Sequence, residues 1–248
     1  MVEPSRTAFN IDQFDAIYPT GVERHYWNQC RNAVILASIR SIGDHGPVLE
    51  VGCGKGLVVS YLRAQGLEVT GVELAQVKPL PEVEAHVRTG TDAMKLDVSE
   101  RALVKTVLLL DVIEHLEDAG AFMQQLRAGF PALRYFVITV PARQELFSNY
   151  DTFNGHFRRY DLKLLNEHVA DGNATVLRAS YFFHALYPAA WIQLRLSGKR
   201  SLAFSVPPPG PVSWVHAVIG RLFFLEQRAI PRSCRGTSLI AAAKLNGR

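Results

Sequence analysis

Apolar positions along the chain follow two alternating patterns. Short apolar runs with little polar alternation are typical of strands covered on both faces, and recurrence every three or four residues is typical of helices. Strands are predicted over 47–54, 67–74, 85–92, 106–112, 135–142, 174–183 and 238–245. Helices are predicted over 25–42, 57–66, 118–130 and 161–172. This alternation predicts an α/β fold with a parallel sheet and helices on both faces.

Residues 184–236 interrupt the alternation and are predicted to form a cap or insertion between the last two strands. They contain the turn-forming run PPPGP and an apolar segment over 211–230. Within this segment, apolar residues recur at helical spacing: Trp214, Val218, Leu222, Leu225 and Ala229. Such a stripe packs on the core, covers an apolar substrate as a lid, or lies on a membrane. The remaining divisions are an N-terminal helical segment (1–45), a ligand-binding core (46–183) and the final strand (237–248).

Positive charge is concentrated towards the C-terminus. Residues 195–248 hold nine Lys and Arg against a single acid, Glu226, whereas residues 1–194 hold 18 Lys and Arg against 22 acids. A basic segment can face an anionic substrate, a phospholipid surface or nucleic acid, or it can simply be solvated. No nucleic-acid partner is predicted, because no basic stretch is interleaved with aromatic residues in a recognisable module.

The three cysteines, Cys30, Cys53 and Cys234, form no CxxC pair, so neither a disulfide framework nor a zinc site is predicted. The first residues lack the apolar centre of a signal peptide, and no run reaches the ~18 apolar residues of a membrane span. We therefore expect a cytoplasmic protein, with peripheral contact to the inner membrane surface through residues 195–236 as the alternative.

The most informative stretch is residues 48–56, VLEVGCGKG, in which a buried strand runs into alternate glycines before a helix. Glycine permits positive φ and close approach of a ligand, and the following helix N-terminus favours a carboxylate or phosphate. A dinucleotide fingerprint requires its last glycine at position 57, where Leu57 stands. Glu50 would lie beside a pyrophosphate at an electrostatic cost, but it would attract a ligand ammonium.

Two further acids follow the next strands. Glu73 stands at the end of the second strand, where a carboxylate can accept both hydroxyls of a ribose. Nicotinamide enzymes also use an acid there, so Glu73 alone does not discriminate between cofactors. Asp92 follows the third strand, where it either receives an adenine amino group or caps a loop or helix.

At these residues the chain resembles the class I S-adenosylmethionine-dependent methyltransferases, and more narrowly the bacterial branch related to ubiquinone and menaquinone methyltransferases. VLEVGCGKG resembles their first motif, GVEL their ribose acid, GTDA their adenine-contacting acid and LLLDVIEHLED their fourth-strand motif. The similarity extends from about residue 24 to 246 and includes GHFRRY; it departs at 104–105, where the family often has Phe-Asp. The resemblance implies a Rossmann-like, seven-stranded, mostly parallel sheet whose last strand is antiparallel.

The resemblance also implies S-adenosylmethionine as methyl donor, with S-adenosylhomocysteine as product. The residues expected to bind it are Glu50, Gly52, Cys53 and Gly54 (methionine moiety), Glu73 and Leu74 (ribose), Asp92 and Ala93 (adenine), and Asp111 and Val112 (sulfonium end). We expect the methyl acceptor to be a small, partly apolar or lipid-linked molecule. Methylation on oxygen is modestly favoured over methylation on nitrogen or carbon. The rival functions are a nicotinamide-dependent oxidoreductase, a non-catalytic nucleoside-binding protein and a membrane-associated protein.

His115 and His156 are the candidate catalytic bases. Both follow strands at the carboxyl edge, where ligands bind in open α/β sheets; the alternative is that they only order their loops. Together with Asp111 and Glu114, they offer four ligands that would suit Mg²⁺, Mn²⁺ or Zn²⁺. Some quinone and RNA methyltransferases with this pattern bind a cation there. Because members without a known metal share the DVIEH element, a divalent cation remains a hypothesis and no metal site is predicted.

Overall fold

Seven strands form one sheet in the computed structural model, which describes residues 11–202 and 205–247. They are β1 (Val48–Val51), β2 (Val69–Val72), β3 (Val87–Arg88), β4 (Thr106–Leu110), β5 (Tyr135–Pro141), β6 (Ala174–Phe182) and β7 (Ser238–Leu245). Their order is β3-β2-β1-β4-β5-β7-β6. Strands β1 to β5 pair in parallel, and β7 runs antiparallel to both β5 and β6. The predicted seven-stranded, mostly parallel sheet with an antiparallel last strand is confirmed.

Helices cover both faces of this sheet. The α-helices within the described ranges are α1 (Ile11–Ile17), α2 (Tyr26–Arg40), α3 (Leu57–Ala64), α4 (Val98–Arg101), α5 (Ala119–Gly129), α6 (Asn149–Phe153), α7 (Leu162–Asp171), α8 (Leu186–Ser197) and α9 (Pro211–Ala229). The first ten residues of the predicted N-terminal helical segment lie outside the described part. None of the described helices has the length and apolar character needed to cross a membrane.

Alternate residues of the central strands face two separate cores. On β4, Val107 and Leu109 belong to one core, and Leu108 and Leu110 belong to the other. Helices α5 and α7 close the first core, and α2, α3 and the inner side of α9 close the second. Because successive side chains of a strand point to opposite faces, a continuous apolar run is what a doubly covered strand requires.

The third strand is shorter than predicted. The sequence favours a strand over 85–92, but β3 has only two residues and follows a 3-10 helix at Pro81–His86. Pro81 occupies the start of that helix, where its fixed φ and missing N–H cost nothing. The predicted strand therefore loses its first residues to the helix, and its last ones form the loop that leads to Asp92.

Helices α8 and α9 lie between β6 and β7, in the segment that the sequence marks as a cap. Helix α9 packs along α2, and the contact is close at Gly220, where an added Cβ would lie 3.0 Å from the Tyr26 carbonyl oxygen and 3.1 Å from Gln29 Cβ. The opposite side of α9 is not covered by the described residues. Its predicted apolar stripe lies there, so packing of the stripe on the core, one of the three alternatives left open by the sequence, is wrong.

Candidate active site

A cavity of about 740 Å³ opens where the carboxyl ends of the central strands meet. The strand order reverses between β1 and β4. In open α/β folds, ligands bind at the carboxyl ends of the strands beside such a reversal. All the residues predicted to bind the donor or act as bases line this cavity: Glu50, Gly52, Cys53, Gly54, Glu73, Leu74, Asp92, Ala93, Asp111, Val112, His115 and His156. The structure therefore brings the whole predicted set together.

The turn after β1 needs glycine because of its backbone angles and because neighbouring side chains pack directly against its backbone. Gly52 and Gly54 have φ values of 76° and 56°, in the left-handed region that side chains disfavour. A Cβ on Gly52 would lie 2.9 Å from Val112 Cγ2, and one on Gly54 would collide with the Tyr18 hydroxyl. Residues from after β4 and from just beyond α1 therefore approach the turn as closely as its backbone allows.

Glu73 joins the second strand to this turn. Its carboxylate accepts hydrogen bonds from the backbone N–H groups of Gly54, at 2.9 Å, and of Ala75, at 2.8 Å. The side chain is buried, yet it lines the cavity. A carboxylate oxygen can accept more than one hydrogen bond, so Glu73 keeps acceptor capacity for the hydroxyls of a bound ribose.

Glu50 is a buried carboxyl group with an unmet hydrogen-bonding need. Its Oε2 has no hydrogen-bond partner among the residues that the structure describes. Burial raises the pKa of Glu50 to about 8, because removal from water disfavours the charged form. A ligand ammonium in the cavity would supply both the missing donor and the counter-charge, so Glu50 fits the amino group of an amino-acid ligand.

Arg31 is a functional residue that the sequence reasoning missed. It reaches from α2 into the cavity and donates to the Asp111 carboxylate at 2.6 Å. Asp111 has φ of 58°, a strained value for a residue other than glycine. The pair fixes the buried Arg31 guanidinium between the turn and the end of β4, and its Nε has no hydrogen-bond partner among the described residues. It would suit the carboxylate of an amino-acid ligand.

His156 is oriented by a buried acid. Its Nδ1 lies 2.9 Å from Asp151 Oδ1, which also accepts a hydrogen bond from Arg159 Nε at 2.7 Å. Burial alone would raise the pKa of Asp151, but the bond from His156 and the charge of Arg159 outweigh it and lower this pKa to about 2. The ionised carboxylate can only accept, so Nδ1 carries a proton, and in the neutral ring Nε2 is then the acceptor.

His156 is one of three neighbouring side chains that could hold a metal ion. Ligand atoms of Glu114, His115 and His156 lie within 4.8 Å of one another, and the two imidazole rings meet edge-on at 4.6 Å. Both Glu114 oxygens are buried, without a hydrogen-bond partner among the described residues. Burial and nearby Asp111 raise the pKa of Glu114 well above its usual range. Burial and His156 lower the pKa of His115 to about 4.

Asp92 performs the structural role that the sequence left open as an alternative. Its side chain caps the 3-10 helix Ala93–Lys95 by accepting from the Met94 N–H at 2.8 Å. The residue nevertheless lines the cavity, so capping does not exclude a contact with a bound base. Leu74 is 39% exposed, which is high for an apolar side chain and leaves one of its faces open to the cavity.

The walls contributed by α1 and α8 are mainly apolar. Phe14 and Ile17 line one part of the cavity, and Leu186, Ala189 and Ala190 line another. Small-molecule sites combine such surfaces with a few fixed polar groups. An acceptor with a substantial apolar part would suit these walls.

One cation also borders the cavity: Arg200 lies 5.4 Å from the centre of the Tyr150 ring. Sequence reasoning assigned Tyr18, Tyr150 and Arg200 no role at this site. Tyr150 and Asp151 carried a signal, because both stand just before the GHFRRY element that resembles the quinone branch.

Comparison with known proteins identifies the family. A methyltransferase domain matches residues 23–179, which is more than half of the chain and includes the glycine turn and both histidines. The chain therefore belongs to the class I S-adenosylmethionine-dependent methyltransferases.

Several curated relatives are ubiquinone biosynthesis O-methyltransferases. The one from Azorhizobium caulinodans is 34% identical over 114 residues, covering 43% of this chain and 41% of that protein. The one from Bradyrhizobium diazoefficiens is 31% identical over 100 residues, covering 37% and 39%. The matched region thus spans about two fifths of these relatives.

Solved structures share the fold. The magnesium protoporphyrin IX methyltransferase of Synechocystis, with bound S-adenosylhomocysteine, has a TM-score of 0.55 at 15% identity and covers 95% of this chain and 93% of its own. The 1,6-didemethyltoxoflavin-N1-methyltransferase of Burkholderia thailandensis, bound to 1,6-didemethyltoxoflavin and S-adenosylhomocysteine, has a TM-score of 0.55 at 19% identity, with 94% and 86% covered. At these identities the likeness shows the fold alone.

Proposed function

We propose that the protein transfers a methyl group from S-adenosylmethionine to an oxygen atom of a small or lipid-linked acceptor. The observation that carries this proposal is the Asp151–His156 pair, an oriented base in the same cavity as the glycine turn and Glu73. The curated relatives are O-methyltransferases, and an acceptor hydroxyl is the case in which a base contributes most.

The residues around the turn fit the donor. Glu50 supplies the carboxylate for its ammonium, Arg31 a cation for its carboxylate, and Glu73 the acceptors for its ribose hydroxyls. The donor brings an electrophilic methyl group on a positively charged sulfur. These residues fix its position and the cavity walls exclude water, so alignment of the acceptor oxygen supplies much of the rate enhancement.

His156 is better suited than His115 to remove the acceptor proton. Asp151 fixes the tautomer that leaves His156 Nε2 free to accept, and it stabilises the imidazolium that forms. The low pKa of His115 makes that residue a weak base at neutral pH. In the proposed reaction the hydroxyl proton passes to His156, the oxygen–methyl bond forms, the sulfur–methyl bond breaks, and S-adenosylhomocysteine leaves.

A second arrangement is favoured by the two unpartnered oxygens of Glu114. Buried polar atoms without partners are costly and require an explanation. A divalent cation held by Glu114, His115 and His156 would provide one, and the bond from His156 to Asp151 is a typical outer-shell contact of a histidine ligand. Such a cation would act as a Lewis acid that lowers the pKa of the acceptor hydroxyl.

Chelation separates the two arrangements. Purified protein is analysed for metal, dialysed against EDTA and assayed with tritiated S-adenosylmethionine and phenolic acceptors, with and without a prenyl chain. Unchanged activity supports His156 as a free base. Activity that is lost and then restored by Mg²⁺, Mn²⁺ or Zn²⁺ supports the cation.

The donor site is tested by calorimetry with S-adenosylmethionine, S-adenosylhomocysteine and NAD. Glu73→Ala should weaken binding of the first two about 30- to 100-fold, because hydrogen bonds to a charged acceptor are lost. Glu68→Ala, at an exposed acid that precedes β2 at the end opposite to Glu73, is the matched control and should bind normally. Circular dichroism checks that the turn has folded. Binding of NAD alone, or no effect of Glu73→Ala, would contradict the proposal.

A further inference from the structure

The outer face of α9 is apolar and open to solvent. Trp214 is 71% exposed, Leu222 59% and Leu225 51%. With Val218 they recur at helical spacing along one side, while Gly220 and Phe223 on the other side pack against α2. The helix is thus held firmly by one face and presents a second apolar face that no described residue covers.

Helix α8, which precedes α9 along the chain, also exposes apolar side chains. None of its side chains is buried, and Leu196 is 83% exposed, with Ile192 and Trp191 also open to solvent. Its start is joined to α9, because the Ala185 N–H donates to the Glu226 carboxylate at 2.7 Å. We call the exposed apolar residues of the two helices the α8–α9 surface: Trp191, Ile192, Leu196, Trp214, Val218, Leu222 and Leu225.

The segment that carries this surface is rich in cations and poor in acids. Arg195 lies 5.1 Å from the Trp191 ring centre, and Arg228 lies 5.6 Å from that of Phe224. Lys199 and Arg221 are exposed on the same two-helix segment. The single acid of residues 195–248, Glu226, is the one that receives the Ala185 N–H.

We propose that the α8–α9 surface docks on a lipid bilayer that contains anionic phospholipids. Apolar side chains would enter the acyl boundary, tryptophans would lie at the interface, and the arginines would meet lipid phosphates. Charge selects this occupant over a second copy of the chain. Two identical surfaces would bring like charges together with no carboxylates to pair them.

Docking in this way would place α8 between the bilayer and the cavity. The side of α8 that carries Leu186, Ala189 and Ala190 lines the cavity wall, and its exposed residues would face the lipid. An acceptor with a lipid tail would then reach the cavity past α8. This consequence rests on the proposed function, whereas the docking itself does not.

Vesicle sedimentation tests the proposal on the full chain without donor or acceptor. Vesicles of phosphatidylcholine alone are compared with vesicles that also contain phosphatidylglycerol, at low and high salt. We expect binding to the anionic vesicles, at least about tenfold weaker binding to the neutral ones, and weakening by salt. Leu222→Ser combined with Leu225→Ser should reduce binding at least about tenfold, and Arg221→Glu with Arg228→Glu should abolish the preference for anionic lipid.

The matched control is Leu103→Ser combined with Leu177→Ser, two leucines that are 64% and 54% exposed outside α8 and α9. This variant should bind vesicles like the parent protein. Failure of the parent to sediment with anionic vesicles, or equal loss in the control, overturns the proposal. So does a dimer in analytical ultracentrifugation that Leu222→Ser with Leu225→Ser dissociates. Methyl transfer to a soluble phenol, measured in parallel, separates failure of docking from failure of the proposed function.

Discussion

The cavity beside the glycine turn and the α8–α9 surface differ in the side chains they leave in an unfavourable environment. In the cavity, polar atoms of Glu50 and Glu114 are buried and have no hydrogen-bond partner in the part of the chain that the structure describes, and burial raises the pKa values of both side chains. On the α8–α9 surface, apolar side chains are exposed to water without a cover. Each arrangement costs free energy in isolation, and each is relieved by a ligand of matching character. The cavity is therefore expected to bind a charged small molecule, and the α8–α9 surface is expected to bind an extended apolar partner such as a bilayer.

The largest expected effect concerns the cavity. His156→Ala should lower kcat by about 10²–10⁴-fold, because general base catalysis typically contributes that much. Donor affinity should change little, since His156 lies outside the turn proposed to hold the donor. The melting temperature should fall by a few degrees, because the buried Asp151 carboxylate loses one of its two hydrogen-bond partners. The matched control is His86→Ala, a partly exposed histidine on the 3-10 helix before β3, which should leave kcat unchanged. A loss of donor binding equal to the loss of kcat would show that His156 acts in donor positioning.

The next effect concerns the inner face of α9. Gly220→Val should lower the free energy of unfolding by about 1–3 kcal/mol, because its methyl groups would overpack the contact with Tyr26 and Gln29. Urea denaturation measures this change. Ala229→Val introduces the same side chain on the exposed side of α9 and should cost little. Equal losses in both variants would mean that β-branching, and not the helix contact, is responsible.

Glu50 links the cavity to pH. Its raised pKa means that the folded protein binds this proton more tightly than the unfolded chain, so stability falls as pH rises from about 5 to about 8. Glu50→Gln removes this loss and should raise the melting temperature at pH 8 by a few degrees, measured by calorimetry.

In the same pH range, donor affinity of the parent protein should rise, because the ionised carboxylate is the form that attracts an ammonium. The Glu50→Gln variant should bind the donor weakly at every pH. A pH-independent affinity of the parent would show that Glu50 does not contact the donor amino group.

The smallest effect is expected at the outer face of α9. Leu222→Ser with Leu225→Ser should change the free energy of unfolding by less than about 0.5 kcal/mol per site, as for ordinary exposed positions. Chemical denaturation without lipid provides the measurement. A clear loss of stability would mean that these leucines are covered in solution, and the contrast between the two regions would disappear.

Much of the cavity was predictable from sequence because it depends on short-range patterns. The apolar run of β4 predicts a strand covered on both faces. The alternate glycines after β1 predict a turn that a ligand can approach closely. Glu50 could be placed because it stands just before the glycine turn, and Glu73 because it stands at the end of the second predicted strand. The mostly parallel, seven-stranded sheet with its antiparallel last strand followed from strand–helix alternation together with the family resemblance.

The remainder depends on contacts between distant segments. Arg31 lies on a predicted helix, but periodicity does not reveal that its side chain meets Asp111, 80 positions further along the chain. Periodicity likewise identified the stripe of α9 without telling what covers it. The residues before β3 were misassigned because Pro81 starts a 3-10 helix in a region where the apolar pattern also suits a strand.

The close approach at Gly220 has a consequence for modular exchange between homologues. Tyr26 and Gln29, which meet α9 there, belong to the same two turns of α2 as Arg31, which enters the donor cavity. Removing segment 184–236 would therefore uncover the helix that carries Arg31, the cation proposed to bind the donor carboxylate. A chimaera that takes this segment from a relative should also take α2 from that relative. Otherwise we expect its affinity for the methyl donor to fall.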